Sequence, residues 1–304
     1  MRKTLAEEFI VEGPGLHTGV HTHLRVMPSK EEKGIYFSYM EPDKTSLGYI
    51  PCHTANVVST QRCTVLGNGQ KSVHTVEHLM AALVANGITD AELRIDGPEV
   101  PALDGSALIF HEKIMGSGTE LYEGDGQDVI KVDEPISFQC KNSGASYHIT
   151  PSEDYILEVR LEYDTDLLDG MKAIWCFADD FSTNIARART FSLYSEIESL
   201  LELGLIRGGN LENALVIVDR DVTGEFIKSQ IQRYIPGVSD VSVTDCVING
   251  PMYYDNEPAR HKILDMLGDL SLLNLKIKGR ISAIRPGHTG NFNLARHLIN
   301  LFYG

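Results

Sequence analysis

His74-Thr75-Val76-Glu77-His78-Leu79-Met80-Ala81-Ala82-Leu83-Val84 carries the first strong helical pattern of this 304-residue chain. Val76, Leu79, Met80, Leu83 and Val84 recur at helical spacing and make one apolar stripe. Asn86-Gly87 supplies a stop, so the spacing predicts a helix over about 74–86. At about 100° per residue, His74 and His78 fall on the opposite side, beside small Ala81 and Ala82. One face of this helix is built for a core and the other for chemistry.

A second stretch has the same plan. Arg260-His261-Lys262-Ile263-Leu264-Asp265 lies in a predicted helix over about 258–272, with Asp255 or Asn256 as its cap and Pro258 in its first turn. Ile263, Leu264, Leu267 and Leu270 share one side; His261, Asp265 and Asp269 share the other, with Gly268 among them. His261 and Asp265 are four apart and lie one turn above the other. An imidazole and a carboxylate so placed suit one divalent ion, and a His from the first helix completes a three-ligand set with an open position for water. Glu77, beside His78, is then the candidate general base. An isolated His/Asp pair of this spacing is more often a surface pair, so the inference rests on two polar stripes, each backed by an apolar one. The same residues also fit H-x-x-E-H, the inverted zinc-protease motif, with His74 and His78 as ligands and Glu77 as base. That reading leaves His261 and Asp265 without a role.

Outward from these two helices, the chain alternates strands with helices. His21 to Met27 and Ala91 to Ile95 read as strands, Asn56 to Leu66 as a strand region, and Gly67-Asn68-Gly69 as a hairpin turn. A helix is expected over about Ser106 to Met115, with Asp104 or Ser106 as cap. Gly116 to Asp128 is rich in glycine and acidic residues, and the domain boundary is placed there, giving units 1–128 and 129–304. Strands then follow near 129–139, 145–150, 155–163 and 214–218. Helices are expected at Ser195 to Gly204, 221–234 and Phe292 to Leu301.

The formal charge of -15 offers no basic patch and argues against nucleic acid as a partner. Hydrophobic residues make up 42% and charged residues 23%, the balance of a folded globular chain. Cys52, Cys63, Cys140, Cys176 and Cys246 are odd in number and lack C-x-x-C spacing, which suits reduced thiols in a cytoplasm. No signal-peptide core and no apolar run of membrane-spanning length is present, so a cytoplasmic protein is expected.

Several further stretches, with the two above, resemble the zinc-dependent UDP-3-O-acyl-N-acetylglucosamine deacetylases. They are Leu16-His17-Thr18-Gly19, Pro101-Ala102-Leu103-Asp104-Gly105-Ser106, Ala188-Arg189-Thr190-Phe191, Gly208-Gly209-Asn210-Leu211-Glu212-Asn213-Ala214 and Gly287-His288. The resemblance runs in order along almost the whole chain. It implies an α+β fold of two similar sandwich domains, each a sheet with helices, with the helices packed between the two sheets. It implies removal of the N-acetyl group from UDP-3-O-[(R)-3-hydroxyacyl]-N-acetylglucosamine, with release of acetate, in the lipid A synthesis of Gram-negative bacteria. His78, His261 and Asp265 would hold Zn²⁺, and Fe²⁺ fits the same donors. Glu77 would be the base. His288 would protonate the leaving amine, with Asp269 orienting it, and Thr190 would donate to the oxyanion. Lys262 and Phe191 would contact substrate. The segment about 190–213 matches the family's acyl-chain passage, which Leu193, Ile197, Leu200, Leu201 and Leu203 could line. Cys63 stands where members often carry a cysteine near the metal. Between Val218 and Tyr254 the chain is longer than short members. Longer versions occur where the deacetylase is fused to a hydroxyacyl-acyl-carrier-protein dehydratase, so such a fusion or association is an expected partner relationship.

Overall fold

The computed structural model describes residues 1–30, 34–39, 48–202, 206–234, 241–248 and 250–304. Phe9–Pro14, His21–Pro28, Ala91–Ile95, Ile35–Tyr39 and Ile50–Pro51 form one sheet in that spatial order. Its strands alternate cleanly: Phe9, Val11 and Gly13 point inward and Ile10, Glu12 and Pro14 outward. That is the period-two pattern of a sheet with one buried face. Ile136–Gln139, Ser146–Thr150, Lys276–Ile284, Tyr155–Arg160 and Lys172–Cys176 form a second sheet, which Val129–Lys131 joins by pairing in parallel with Lys276–Ile284.

Six α-helices are described: α1 (Glu77–Ala85), α2 (Leu108–Ser117), α3 (Tyr194–Glu202), α4 (Gly224–Tyr234), α5 (Glu257–Ser271) and α6 (His288–Tyr303). α1 packs along α5, and α5 also packs on Tyr155–Arg160, on Lys172–Cys176 and on α6. The inner faces of both sheets, α1 and α5 share one hydrophobic core. The helices thus lie between the two sheets, as the resemblance implies.

A smaller sheet, Phe191–Leu193, Leu215–Ile217, Val247–Ile248 and Val243–Thr244, carries α3 and α4. It has its own core of Val216, Val218, Ile227, Ile231 and Ile248.

Helix boundaries differ from the sequence expectation where tertiary contacts intervene. The first helix begins at Glu77, not His74. The His74 backbone is committed to an extended pairing, donating to the Pro98 carbonyl and accepting from the Val100 N–H. Thr75 then turns the chain with φ of 56°, a costly conformation for a β-branched residue. Its Oγ1 donates to Glu99 at 2.7 Å, which helps hold the turn. All of Glu77 to Leu83 is buried, so α1 is enclosed on every side and not only on its apolar stripe.

α6 begins four residues earlier than expected, at His288. Gly290 sits inside α6, where a Cβ would collide with the Tyr147 hydroxyl. The region 56–66 is a short turn and two separate strands, Val57–Ser59 and Val65–Gly67. The helix expected at 106–115 is displaced to α2, but Ser106 still accepts the Leu108 N–H at 3.0 Å, as a capping side chain does. Asn256 is the N-cap of α5. Its side chain bonds the Lys172 carbonyl and Arg260 and makes no capping bond. Leu203 and Gly204 lie outside the described residues, as does the Leu201 side chain.

Candidate active site

The site is built where α1 and α5 cross. A Cβ on Gly268 would collide with the Glu77 carbonyl oxygen, so the helices approach as closely as glycine permits. The Thr75 turn delivers Glu77 and His78 at the start of α1, directly against the polar stripe of α5.

His78 Nε2 lies 3.8 Å and His261 Nε2 3.3 Å from Asp265 Oδ1. The two rings meet edge to face with centroids 5.0 Å apart. One donor atom from each of the three residues falls within 4.8 Å of the others, a set that could hold a metal ion. Asp265 Oδ1 is buried and has no hydrogen-bond partner, although a buried carboxylate oxygen is costly to leave unpaired. A divalent cation between the three side chains would satisfy it.

The surroundings suit that use. His261 Nδ1 lies 3.0 Å from the Ala188 carbonyl, which makes Nδ1 the protonated nitrogen and leaves Nε2 free to ligate. Burial, then the neighbouring His261, push His78 down to about 3, so it stays neutral. Burial likewise lowers His261. Burial opposes the charge on Asp265, but His261 and Lys262 outweigh it and hold the carboxyl well below its usual range. Lys262 Nζ donates to Asp265 Oδ2 at 2.7 Å and lies 5.3 Å from the centroid of the Phe191 ring. Lys262 is thus tied to Asp265 as well as facing the cavity.

Beside the three donors stand Glu77 and His288. Glu77 Oε1 is 3.6 Å from His288 Nε2, and Glu77 Oε2 accepts the Thr64 N–H at 3.1 Å. His288 Nδ1 lies 2.9 Å from Asp269 Oδ2. Asp269 also accepts from Thr64 Oγ1 at 2.5 Å and from Asn291 Nδ2 at 2.8 Å, and Tyr147 donates to Asn291 at 2.8 Å. Burial pushes Glu77 up to about 8 against the pull of His288. Burial opposes the charge on His288, but Asp269 and then Glu77 raise it to about 10. The two groups have pKa values driven away from their ordinary ranges, as acid–base partners require.

Thr190, Phe191 and Leu200 line the same cavity of about 430 Å³ as His78, His261 and Asp265. The Thr190 backbone is fixed on both sides, donating to Gly105 and accepting from Leu215 at 2.8 Å each. Glu77, Lys262 and His288 line it too, and Asp269 stands behind His288. His74 is not among the three grouped donors and does not line the cavity, which removes it as a ligand. Cys63 is buried, burial pushes its thiol up to about 12, and it is not among the three grouped donors.

Sequence reasoning missed Thr64, Asn291, Tyr147 and Glu99. Glu99 is fully buried and receives the His17 and Thr18 N–H groups and the Thr18 and Thr75 hydroxyls, at 2.7 to 3.2 Å. None stands in a recognisable spacing; each is drawn in by the fold.

Two imidazoles and a carboxylate around a cation position, with a buried carboxylate and a second imidazole alongside, define a hydrolase-type site. The family model described as "LpxC: UDP-3-O-acyl N-acetylglycosamine deacetylase" matches residues 2–229 and 240–300. The "Bifunctional enzyme LpxC/FabZ" of Porphyromonas gingivalis is 36% identical over 295 residues, 97% of this chain and 63% of that protein. That of Bacteroides thetaiotaomicron is 37% identical over 298 residues, 98% and 64%. The "UDP-3-O-acyl-N-acetylglucosamine deacetylase" of Trichormus variabilis is 33% identical over 303 residues and 98% of each chain is covered. The chain belongs to the UDP-3-O-acyl-N-acetylglucosamine deacetylase family. It spans under two thirds of the length of the bifunctional relatives.

Proposed function

We propose that this chain is a zinc-dependent amide hydrolase that releases acetate from UDP-3-O-[(R)-3-hydroxyacyl]-N-acetylglucosamine, in the lipid A synthesis of Gram-negative bacteria. One observation carries the reading: the buried, unpartnered Asp265 Oδ1 faces the Nε2 atoms of His78 and His261. His78, His261 and Asp265 would hold the ion. A bound Zn²⁺ supplies a water of lowered pKa, near ~7 in well-studied sites, and polarises the amide carbonyl. Fe²⁺ suits the same donors.

The chain's own groups divide the remaining work. Glu77 takes the proton of the attacking water, with Thr64 N–H fixing its other oxygen. His288, held as an imidazolium by Asp269, opposes the developing negative charge and gives its proton to the leaving amine. Thr190, on the cavity wall, would donate to the oxyanion. Phe191 and Lys262 contact the sugar nucleotide and Leu200 the acyl chain, supported by their place on the cavity wall.

The division into units 1–128 and 129–304 belongs to this reading, and so does a cytoplasmic location. No helix among the described residues is long and apolar enough to cross a membrane. Fusion to or association with a hydroxyacyl-acyl-carrier-protein dehydratase is supported by the names of the bifunctional relatives. Acetate release from the 3-O-acylated substrate, compared with UDP-N-acetylglucosamine, tests the assignment. Strong preference for the acylated compound is expected; equal rates on both would contradict it.

A further inference from the structure

Thr64 is 2% exposed and stands just before the strand Val65–Gly67, on neither of the helices that cross at the site. It nonetheless bonds to both. Its N–H donates to Glu77 Oε2 of α1 at 3.1 Å, and its hydroxyl donates to Asp269 Oδ1 of α5 at 2.5 Å. Its carbonyl accepts the Val76 N–H at 3.4 Å, beside the start of α1. The same loop reaches α6, where the Thr60 and Thr289 hydroxyls lie 2.9 Å apart, one residue from His288. The last torsion of a carboxylate side chain has broad wells, so bonds to its oxygens decide where it points. With Oδ1 held by Thr64, Asp269 presents Oδ2 to His288 Nδ1 at 2.9 Å. With Oε2 held by Thr64, Glu77 presents Oε1 to His288 Nε2 at 3.6 Å. Both ring nitrogens of His288 thus face carboxylates that a single residue orients.

We propose that Thr64 is a positioning residue that keeps Glu77 and His288 in one register for proton transfer, its hydroxyl acting on His288 through Asp269. The inference rests on the deacetylase reading for the roles of Glu77 and His288. In that reading one group takes a proton from water and the other gives one to the amine. The two groups stand on different helices, so any play between α1 and α6 costs rate. Threonine suits the place because branching at Cβ restricts the rotamers of its hydroxyl. Among the described residues that hydroxyl is the one donor to Asp269 Oδ1, whereas Oδ2 is shared by His288 and Asn291.

The test uses the zinc-loaded full chain in two pairs: wild type with Thr64→Val, and Thr64→Ser with Thr64→Ala. Each pair differs mainly by one hydroxyl, and every form keeps the backbone N–H that Glu77 accepts. The second pair reports even where valine disturbs the fold. Two quantities are measured. One is kcat for acetate release per bound zinc, with KM alongside. The other is the proton resonance of the His288 ring N–H on Asp269, identified by its loss in His288→Gln and read without substrate. Loss of the hydroxyl is expected to lower kcat about 10- to 100-fold within each pair, the range of one hydrogen bond to a charged group. KM is expected to change less than about twofold, since the hydroxyl touches no substrate. The resonance is expected to shift and to exchange faster. A residue that only stabilised the fold would lower the zinc-binding fraction and leave kcat per zinc and the resonance in place. Equal kcat per zinc within both pairs would overturn the proposal. If no form releases acetate, wild type included, the deacetylase reading is sunk and the resonance decides: one that moves with the hydroxyl supports the positioning by Thr64, and one that does not overturns it.

Discussion

Gly268 and Glu77 touch backbone to backbone at the crossing of α5 and α1, with no room for a single added carbon. This contact brings a carboxylate from one helix beside the ligand stripe of the other. Gly268→Ala is expected to cost about 1–3 kcal/mol in stability, since the helices must part or twist. It is also expected to weaken zinc binding at least about tenfold, because the three donors are shared between the helices. Thermal melts and a zinc titration against a competing chelator check this. An unchanged affinity would show that the crossing is not what sets the donor geometry.

Asp269→Asn removes a carboxylate that raises His288. The His288 imidazolium then loses its proton at lower pH, so the alkaline limb of the kcat/KM profile is expected to move down. The peak rate is expected to fall by up to about 10²-fold. Zinc stoichiometry stays at one. A profile whose alkaline limb does not move would remove His288 from the proton-transfer role.

Both helices were legible in the sequence because their apolar residues recur at helical period and their polar residues share a face. The Ala91–Ile95 strand appeared with its observed bounds for the same reason, alternation. What pattern alone could not supply was the turn at Thr75. His74 has the i+4 spacing of a ligand, but spacing implies a shared face only if the helix includes both residues. The backbone bonds of His74 to Pro98 and Val100 come from distant sequence and override local periodicity. The bonds around Asp269 were invisible for a related reason. Thr64, Asn291 and Tyr147 are unremarkable residue types whose role depends on which element they end beside. The terminal helix starts at His288 and not at the expected Phe292, and Gly290 in its first turn leaves room for the Tyr147 hydroxyl, a contact that no local pattern announces.

His74→Ala separates the two zinc chemistries that the motif allows. The structure ties His74 through its backbone and leaves it out of the donor group. One equivalent of zinc is therefore expected to remain bound in the variant, by elemental analysis after dialysis. Loss of the metal would favour the inverted protease arrangement.

Glu99 links acid stability to the site. Burial opposes its charge, but the bonds from Thr75, His17 and Thr18 outweigh burial and lower its pKa below the ordinary 4.5. Its contribution is therefore complete above that pH and is lost as the pH falls below it toward the folded-state value. Glu99→Gln is expected to cost about 1–3 kcal/mol at neutral pH by leaving buried donors unpaired. It is also expected to flatten the acid side of the stability profile. Denaturant melts between neutral pH and the acid side measure both; parallel wild-type and variant profiles would contradict the assignment.

In the proposed mechanism His78, His261 and Asp265 jointly hold one ion on which Glu77 depends to hydrolyse the N-acetyl group. Acetate release from the 3-O-acylated UDP-sugar, followed while chelated enzyme is titrated with Zn²⁺, tests it most directly. Activity is expected to be absent after chelation, to return and level off at one equivalent, and to stay near background in Glu77→Ala. Release that survives chelation, or that proceeds at the wild-type rate in Glu77→Ala, would contradict it.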